Sequence, residues 1–321
     1  MVSQNELLVF GGSGNPELTE KICAYLKVSV GKAQIEEFSD GETLVRVEDD
    51  VRGRDCFIVQ PTCHPVNQNM MELLIFLDCL HRASAMRITA VMPYFGYARQ
   101  DRKSEGRTPI SAKLAANLIT TARADRLLAI DLHAEQVPGF FDIPVDHLRA
   151  EPVIASYFRS LDLPDKVVVS PDVGNVKTAN VYAQDLGGEL AVIDKRRISG
   201  SEAVATRIIG DVKDKDVLMF DDMITTAGTI CSAARLVRDC GARTVRVAAT
   251  HGVFAPPAVE RLRKAPIDEI VVADTVPIRA EAAELKNLKV LTVADLLGEA
   301  IYRIHNNKSV SEIFRIKPTR V

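Results

Sequence analysis

The stretch Val217-Leu218-Met219-Phe220-Asp221-Asp222-Met223-Ile224-Thr225-Thr226-Ala227-Gly228-Thr229 decides the fold. Four consecutive apolar residues, 217–220, have the composition of a strand buried on both faces, which is the habit of parallel sheets. Two carboxylates, Asp221 and Asp222, stand where that run ends. A short loop of Thr, Ala, Gly and Thr follows, and residues 230–240 then carry helical spacing. A turn of this kind offers loop amides and a helix dipole to a phosphate, and carboxylates to hydroxyls or a cation. The same letters also suit an ordinary polar turn, because paired aspartates are common at strand ends.

The pattern repeats outward. Residues 7–10, 56–60, 88–92 and 127–130 read as strands in the first half, with a helix starting at Asn15-Pro16 and a long one over 69–85. In the second half the apolar runs are 167–169, 190–193, 217–220, 245–249, 270–273 and 290–292. Helical stretches between them predict an α/β protein whose parallel sheets are covered on both faces. A chain of 321 residues suits two domains of about 150 residues each. We place the boundaries at 1–147, 148–305 and a C-terminal tail, 306–321, packing back on the first domain. No Gly/Ser-rich linker marks the join. The Gly11-Gly12-Ser13-Gly14 run fails the dinucleotide spacing, because Glu17 holds the third glycine position.

A net charge of −3 with 47% apolar residues argues against non-specific nucleic-acid binding. The six cysteines form no C-x-x-C pair and fall mostly in apolar segments, as reduced core residues do. No basic-then-apolar leader and no spanning run is present, so we expect a cytoplasmic protein without membrane partners. Against the overall negative charge, residues 99–113 hold Arg99, Arg102, Lys103, Arg107 and Lys113 but only Asp101 and Glu105. Such a run is often a solvated face, but a loop at a strand end in an α/β sheet is also where a polyphosphate binds. Arg99 can lay a flat guanidinium on a purine. Taken alone, His133 is an ordinary loop histidine, Lys195 and Arg197 an exposed basic turn, and Phe38 hairpin packing between 35–38 and 43–47.

Six motifs together resemble one family. These are Phe38-Ser39-Asp40-Gly41-Glu42, the 93–103 run PYFGYARQDRK, Asp131-Leu132-His133-Ala134, Gly139-Phe140-Phe141-Asp142, Ser170-Pro171-Asp172 and Lys195-Arg196-Arg197. With the loop at 221–229 they match ribose-phosphate diphosphokinases in family order from residue 7 to 314, in the phosphate-regulated class I type. The resemblance implies two tandem type I phosphoribosyltransferase-like domains, each a mainly parallel sheet flanked by helices. It also implies transfer of the diphosphoryl group of ATP to the 1-hydroxyl of ribose 5-phosphate.

By resemblance, Phe38, Asp40 and Glu42 of a neighbouring subunit meet ATP with Arg99, Gln100, Asp101 and His133, which requires a homo-oligomer, a hexamer in the family. His133 and Asp172 hold Mg²⁺. Lys195 and Arg197 lie on a loop that closes over ATP and stabilise the transition state. Asp221 and Asp222 hold the ribose hydroxyls; Thr225, Thr226, Ala227, Gly228 and Thr229 hold the 5-phosphate. Arg52, Ser84, Lys103, Ser309, Ser311 and Phe314 are candidates for a pocket taking phosphate or ADP as regulators. The chain departs from the family pattern at Thr225 (usually an acid), at Asn175 and Lys177 after Asp172, and at Glu135 and Pro138 near the regulatory positions. A non-catalytic regulatory homologue is the competing reading, and a phosphoribosyltransferase is disfavoured by the Phe38 hairpin and the doubled domain.

Overall fold

Local chemistry sets the elements before packing does. Asn15 accepts the Leu18 amide at 3.2 Å and Pro16 takes the first helical position, so the first helix starts there. It stops at Lys27, which adopts a left-handed φ of 58°. The computed structural model describes residues 6–103, 105–197 and 204–314; side chains at 195–197 and 204–206 lie outside the described set.

Elements alternate in chain order. They are β1 (Leu7–Gly11), α1 (Pro16–Leu26), β2 (Ala33–Glu37), β3 (Thr43–Val47), β4 (Asp55–Val59), α2 (Val66–Arg82), β5 (Arg87–Met92) and α3 (Ser111–Thr121). Next come β6 (Arg126–Ile130), β7 (Val145–Leu148), α4 (Glu151–Arg159), β8 (Lys166–Ser170), α5 (Val176–Leu186), β9 (Glu189–Arg197) and β10 (Val204–Ile209). The last are β11 (Asp216–Ile224), α6 (Gly228–Asp239), β12 (Thr244–Gly252), α7 (Ala258–Lys264), β13 (Glu269–Ala273), α8 (Ala280–Ala283), β14 (Leu288–Leu291) and α9 (Ala294–His305).

Two compact units result. The first runs to Ala150 and regains the chain at Thr275–Pro277 and from Thr292 onward. Its sheet has the order β1-β4-β5-β6-β7, and every pairing is parallel. A separate antiparallel hairpin, β2-β3, is the one expected around Phe38. The second unit, Glu151–Asp274 with Ile278–Leu291, has the order β10-β9-β8-β11-β12-β13-β14, parallel except for β9-β10. Each unit has its own apolar core, and strands such as β4 are buried throughout, as two-sided coverage requires. The α/β class and the parallel sheets flanked by helices are therefore as the sequence predicts.

Where the sequence reading ended the second domain at residue 305, the contacts return the chain to the first unit from Thr292. Helix α9 packs on α1, and a Cβ on Gly298 would come within 2.4 Å of the Tyr25 ring, so glycine allows that approach. A buried ion pair fastens the same helix. Asp55, fully buried at the start of β4, takes Arg87 Nε at 2.8 Å and Nη2 at 2.5 Å, with His305 Nδ1 2.8 Å away. Arg87 Nη2 also donates to the Ile304 carbonyl at 3.0 Å. Removing one partner leaves a charge without its counter-ion, so Asp55→Ala is expected to lower unfolding free energy by about 3–5 kcal/mol, read as a shifted urea midpoint.

The glycine-rich run after β1 has a packing explanation. Glu72 is buried and accepts Ser13 N at 2.6 Å, Ser13 Oγ at 2.5 Å and Gln60 Nε2 at 2.9 Å. A Cβ on Gly12 would sit 2.3 Å from Gln60 Oε1. The loop is stapled to a buried polar network. Among the described residues no helix is long and apolar enough to cross a membrane.

Candidate active site

In the second unit the aspartate pair sits within a strand, which corrects the sequence reading of 217–220 followed by a loop. Strand β11 continues to Ile224 because its neighbour β12 is equally long and pairs Asp221 with Ala249 and Ile224 with Gly252. On the opposite edge, pairing with β8 stops at Leu218. Beyond that point the edge is open, and Asn175 fills part of it: its Nδ2 donates to the Phe220 carbonyl at 2.6 Å and lies 3.5 Å from Asp221 Oδ1. Phe220 itself is buried and stacked on Tyr182, ring centroids 3.7 Å apart, which anchors the strand beneath the two acids.

The electrostatics of the pair are unfavourable in the unliganded protein. Burial, then the neighbouring Asp222 carboxylate, push Asp221 from the ordinary value of 3.8 up to about 7. Asp222 N donates to Asp221 Oδ1 at 2.9 Å, which fixes that carboxylate's orientation. Asp172 follows β8 and accepts the Asn175 amide on Oδ1 at 3.0 Å, leaving Oδ2 as a donor for a hard cation. Asn175, a departure from the family pattern, thus links the Asp172 turn to the β11 tip.

The loop after β11 is a cradle. Ala227 adopts a left-handed φ of 59° immediately before α6, and the first-turn amides of a helix have no intrahelical acceptor. A left-handed residue next to a helix start turns successive N–H groups toward one concavity, which suits a phosphate. Residues 225–229 form the turn between β11 and α6 and the start of that helix, with Thr226 and Thr229 exposed.

Lys195 and Arg197 are not on a turn. They lie on β9, which runs four residues past the expected 193 because β10 pairs with it antiparallel, Lys195 opposite Thr206 and Arg197 opposite Val204. The rest of the loop expected to close over ATP, residues 198–203, lies outside the described residues.

In the first unit, Arg99, Gln100, Asp101 and His133 line one cleft of about 380 Å³, together with Arg102, Thr108 and Pro109. Two loops make it. Gln100 is held by the Ala112 amide on its carbonyl at 3.2 Å and by Ser111 on its side chain, while Gln136 donates to Asp101. The His133 loop is fixed by His147, whose Nε2 accepts the Leu132 amide at 2.9 Å. That role needs a neutral ring, and burial lowers the His147 pKa accordingly. Lys113 leaves the basic cluster, because its Nζ caps the Phe140 carbonyl at 2.7 Å. Arg102 and Thr108 were not singled out in the sequence; Arg102 is one cation among several until the loop folds.

The hairpin turn presents Phe38 52% exposed, beside exposed Asp40 and Glu42. Its backbone is fixed by Phe38 N to Glu42 O and Gly41 N to Phe38 O, both 2.8 Å. Of the regulatory candidates, Arg52 and Ser84 are drawn to one place by the Gly53 amide, which donates to the Ser84 carbonyl at 3.0 Å. Ser309 and Ser311 share a hydrogen bond of 2.9 Å in the turn Val310–Phe314, clasped to α9 through Arg303. Lys103 stands on the exposed loop between β5 and α3.

Among the described residues no three His, Cys, Asp or Glu side chains converge on one point. Asp172, a carboxylate just after β8, is of the donor type that Mg²⁺ takes, one or two carboxylates with water and substrate phosphate oxygens completing the shell.

A carboxylate pair beside a helix-start turn in one α/β unit, and a cleft lined by Arg99 and Arg102 in another, have the chemistry that suits phosphorylated, hydroxyl-bearing ligands. The N-terminal domain of ribose phosphate pyrophosphokinase matches over residues 7–122, and the phosphoribosyl synthetase-associated domain over 195–315. A ribose-phosphate pyrophosphokinase of Rhodopirellula baltica is 56% identical over 97% of this chain and 99% of its own. One from Synechocystis is 50% identical over 97% and 93%. The crystal structure of a phosphoribosylpyrophosphate synthetase from Mycobacterium smegmatis superposes with a TM-score of 0.89 at 44% identity, covering 94% of this chain and 99% of that one. The chain belongs to the ribose-phosphate pyrophosphokinase family.

Proposed function

We propose that the protein transfers the diphosphoryl group of ATP to the 1-hydroxyl of ribose 5-phosphate, giving phosphoribosyl diphosphate and AMP. The observation that carries this reading is the near full-length match at about half identity to relatives of that name. The sugar oxygen attacks the β-phosphorus, the bond from that phosphorus to the α–β bridging oxygen breaks, and the hydroxyl proton is released. Little covalent chemistry falls to the protein, so its work is positioning and charge neutralisation.

Asp221 and Asp222 orient the ribose hydroxyls, and the amides of 225–229 hold the 5-phosphate. Arg99, Gln100, Asp101 and His133 bind ATP in the cleft. Asp172 and His133 are the candidate ligands for Mg²⁺, which when bound neutralises the phosphate chain. Lys195 and Arg197 bring positive charge to the transferred group. Regulation by phosphate or ADP is assigned to Arg52, Ser84, Lys103, Ser309, Ser311 and Phe314. The free, mostly buried cysteines suit a reducing compartment such as the cytoplasm.

AMP formation from Mg-ATP that requires ribose 5-phosphate tests the assignment. Absence of AMP with a folded protein would favour the non-catalytic homologue, for which Thr225 is the supporting residue. Phe38, too exposed to be core, is the adenine-stacking residue contributed by a neighbouring copy. Phe38→Ala is expected to raise the KM for ATP by roughly 5- to 150-fold, equivalent to about 1–3 kcal/mol of lost stacking, with melting unchanged. An unchanged KM would remove the shared-site picture.

A further inference from the structure

Arg261 stands on α7, 35 residues beyond Thr226, and its Nη1 donates to the Thr226 carbonyl at 3.0 Å. A Cβ on Gly228 would come within 3.2 Å of the same nitrogen, so the guanidinium lies against the cradle itself. The side chain is exposed, and among the described residues it has no carboxylate at ion-pair distance. Its charge acts on the neighbouring Glu260 carboxylate, which Lys264 already engages, and with that of Arg235 on Cys231 in the first turn of α6.

The peptide between Thr226 and Ala227 is planar, and in the trans form its C=O and N–H point in opposite directions. Fixing the Thr226 oxygen on Arg261 therefore also fixes where the Ala227 N–H points. Ala227 holds a left-handed conformation that costs a non-glycine residue roughly 1 kcal/mol and persists only when the surroundings enforce it. Thr225 adds to the effect, because no side-chain carboxylate stands at that position to offset the arginine.

We propose that Arg261 is a positioning residue of the sugar-phosphate cradle: it clamps the Thr226–Ala227 peptide, so that the Ala227 N–H faces the 5-phosphate, and adds positive charge behind that peptide. The inference rests on residues 225–229 being the 5-phosphate site.

The test compares steady-state kinetics of wild type, Arg261→Gln and Arg261→Lys with Mg-ATP and ribose 5-phosphate at several NaCl concentrations. Arg261→Gln is expected to raise the KM for ribose 5-phosphate roughly tenfold, the size of a lost charge-assisted contact, while the KM for ATP and kcat hold within about twofold. The KM for ribose 5-phosphate should climb with salt in wild type and Arg261→Lys, and climb less in Arg261→Gln, since screening acts only where the charge remains. An unchanged KM, an equal rise for both substrates, or the same salt slope in all three proteins overturns the proposal. Should Arg261→Gln melt early, Arg261→Lys decides: a KM for ribose 5-phosphate raised less than tenfold and still salt-sensitive supports it, and complete loss of that sensitivity overturns it. A wild-type protein that makes no AMP refutes the parent assignment instead, and the inference falls with it.

Discussion

Asp221→Asn is expected to make the unliganded protein harder to melt while nearly disabling it. The folded protein holds this carboxyl at about 7, against 3.8 when exposed. Below about pH 4 both states are protonated and the site costs nothing. Between about pH 4 and 7 the unfolded chain loses its proton and the folded one keeps it, so stability falls as pH rises through that window and stays reduced above it. Asparagine keeps the shape and can still accept the Asp222 amide, but never ionises. The gain should be small at pH 5 and reach roughly 2–3 kcal/mol at pH 8, a rise of several degrees in Tm without Mg²⁺ or substrates.

The same change removes a charged acceptor for a ribose hydroxyl, and kcat/KM for ribose 5-phosphate should fall about 10- to 100-fold. Scanning calorimetry at the two pH values gives the first result and AMP release the second. An equal Tm gain at both pH values would mean that repulsion and burial at Asp221 are not what the site stores.

Lys195→Ala carries the larger catalytic effect. The residue stands on β9 where antiparallel pairing with β10 leads into the segment beyond Arg197, and strand pairing there is between backbones. Truncating the side chain should leave the sheet intact. What it removes is a cation assigned to the charge that gathers on the transferred group, and preorganised charge of that kind is worth about 10²–10³ in kcat. Circular dichroism and melting should match wild type while single-turnover AMP formation slows by that factor. Unaltered turnover would show that β9 and β10 carry no part of the chemistry.

Much of this was legible in the sequence because the core speaks plainly: four apolar residues in a row, Val217 to Phe220, have the composition of a strand buried on both faces, and such a strand it is. What was not legible depends on partners far along the chain. Asp221 and Asp222 read as the end of a strand until β12 is known to run alongside them. Lys195 reads as a turn residue until residues 204–209, which look unremarkable alone, pair with it. Asn175 and Arg261 are ordinary letters whose targets, Phe220 and Thr226, lie 45 and 35 residues away. The regulatory candidates were legible only by family likeness, because serines on a short C-terminal turn carry no local signature.

The return of α9 to the first unit has an effect on how the protein is made. A chain synthesised as far as Leu291 contains every residue of the second unit, yet the first still lacks the helix that covers α1 and brings His305 against buried Asp55. The half synthesised first is therefore the last to close, and it waits with an exposed flank during translation of the entire other half. Chains truncated just short of residue 292 and freed from the ribosome should be cut by protease in their N-terminal half and spared in the middle.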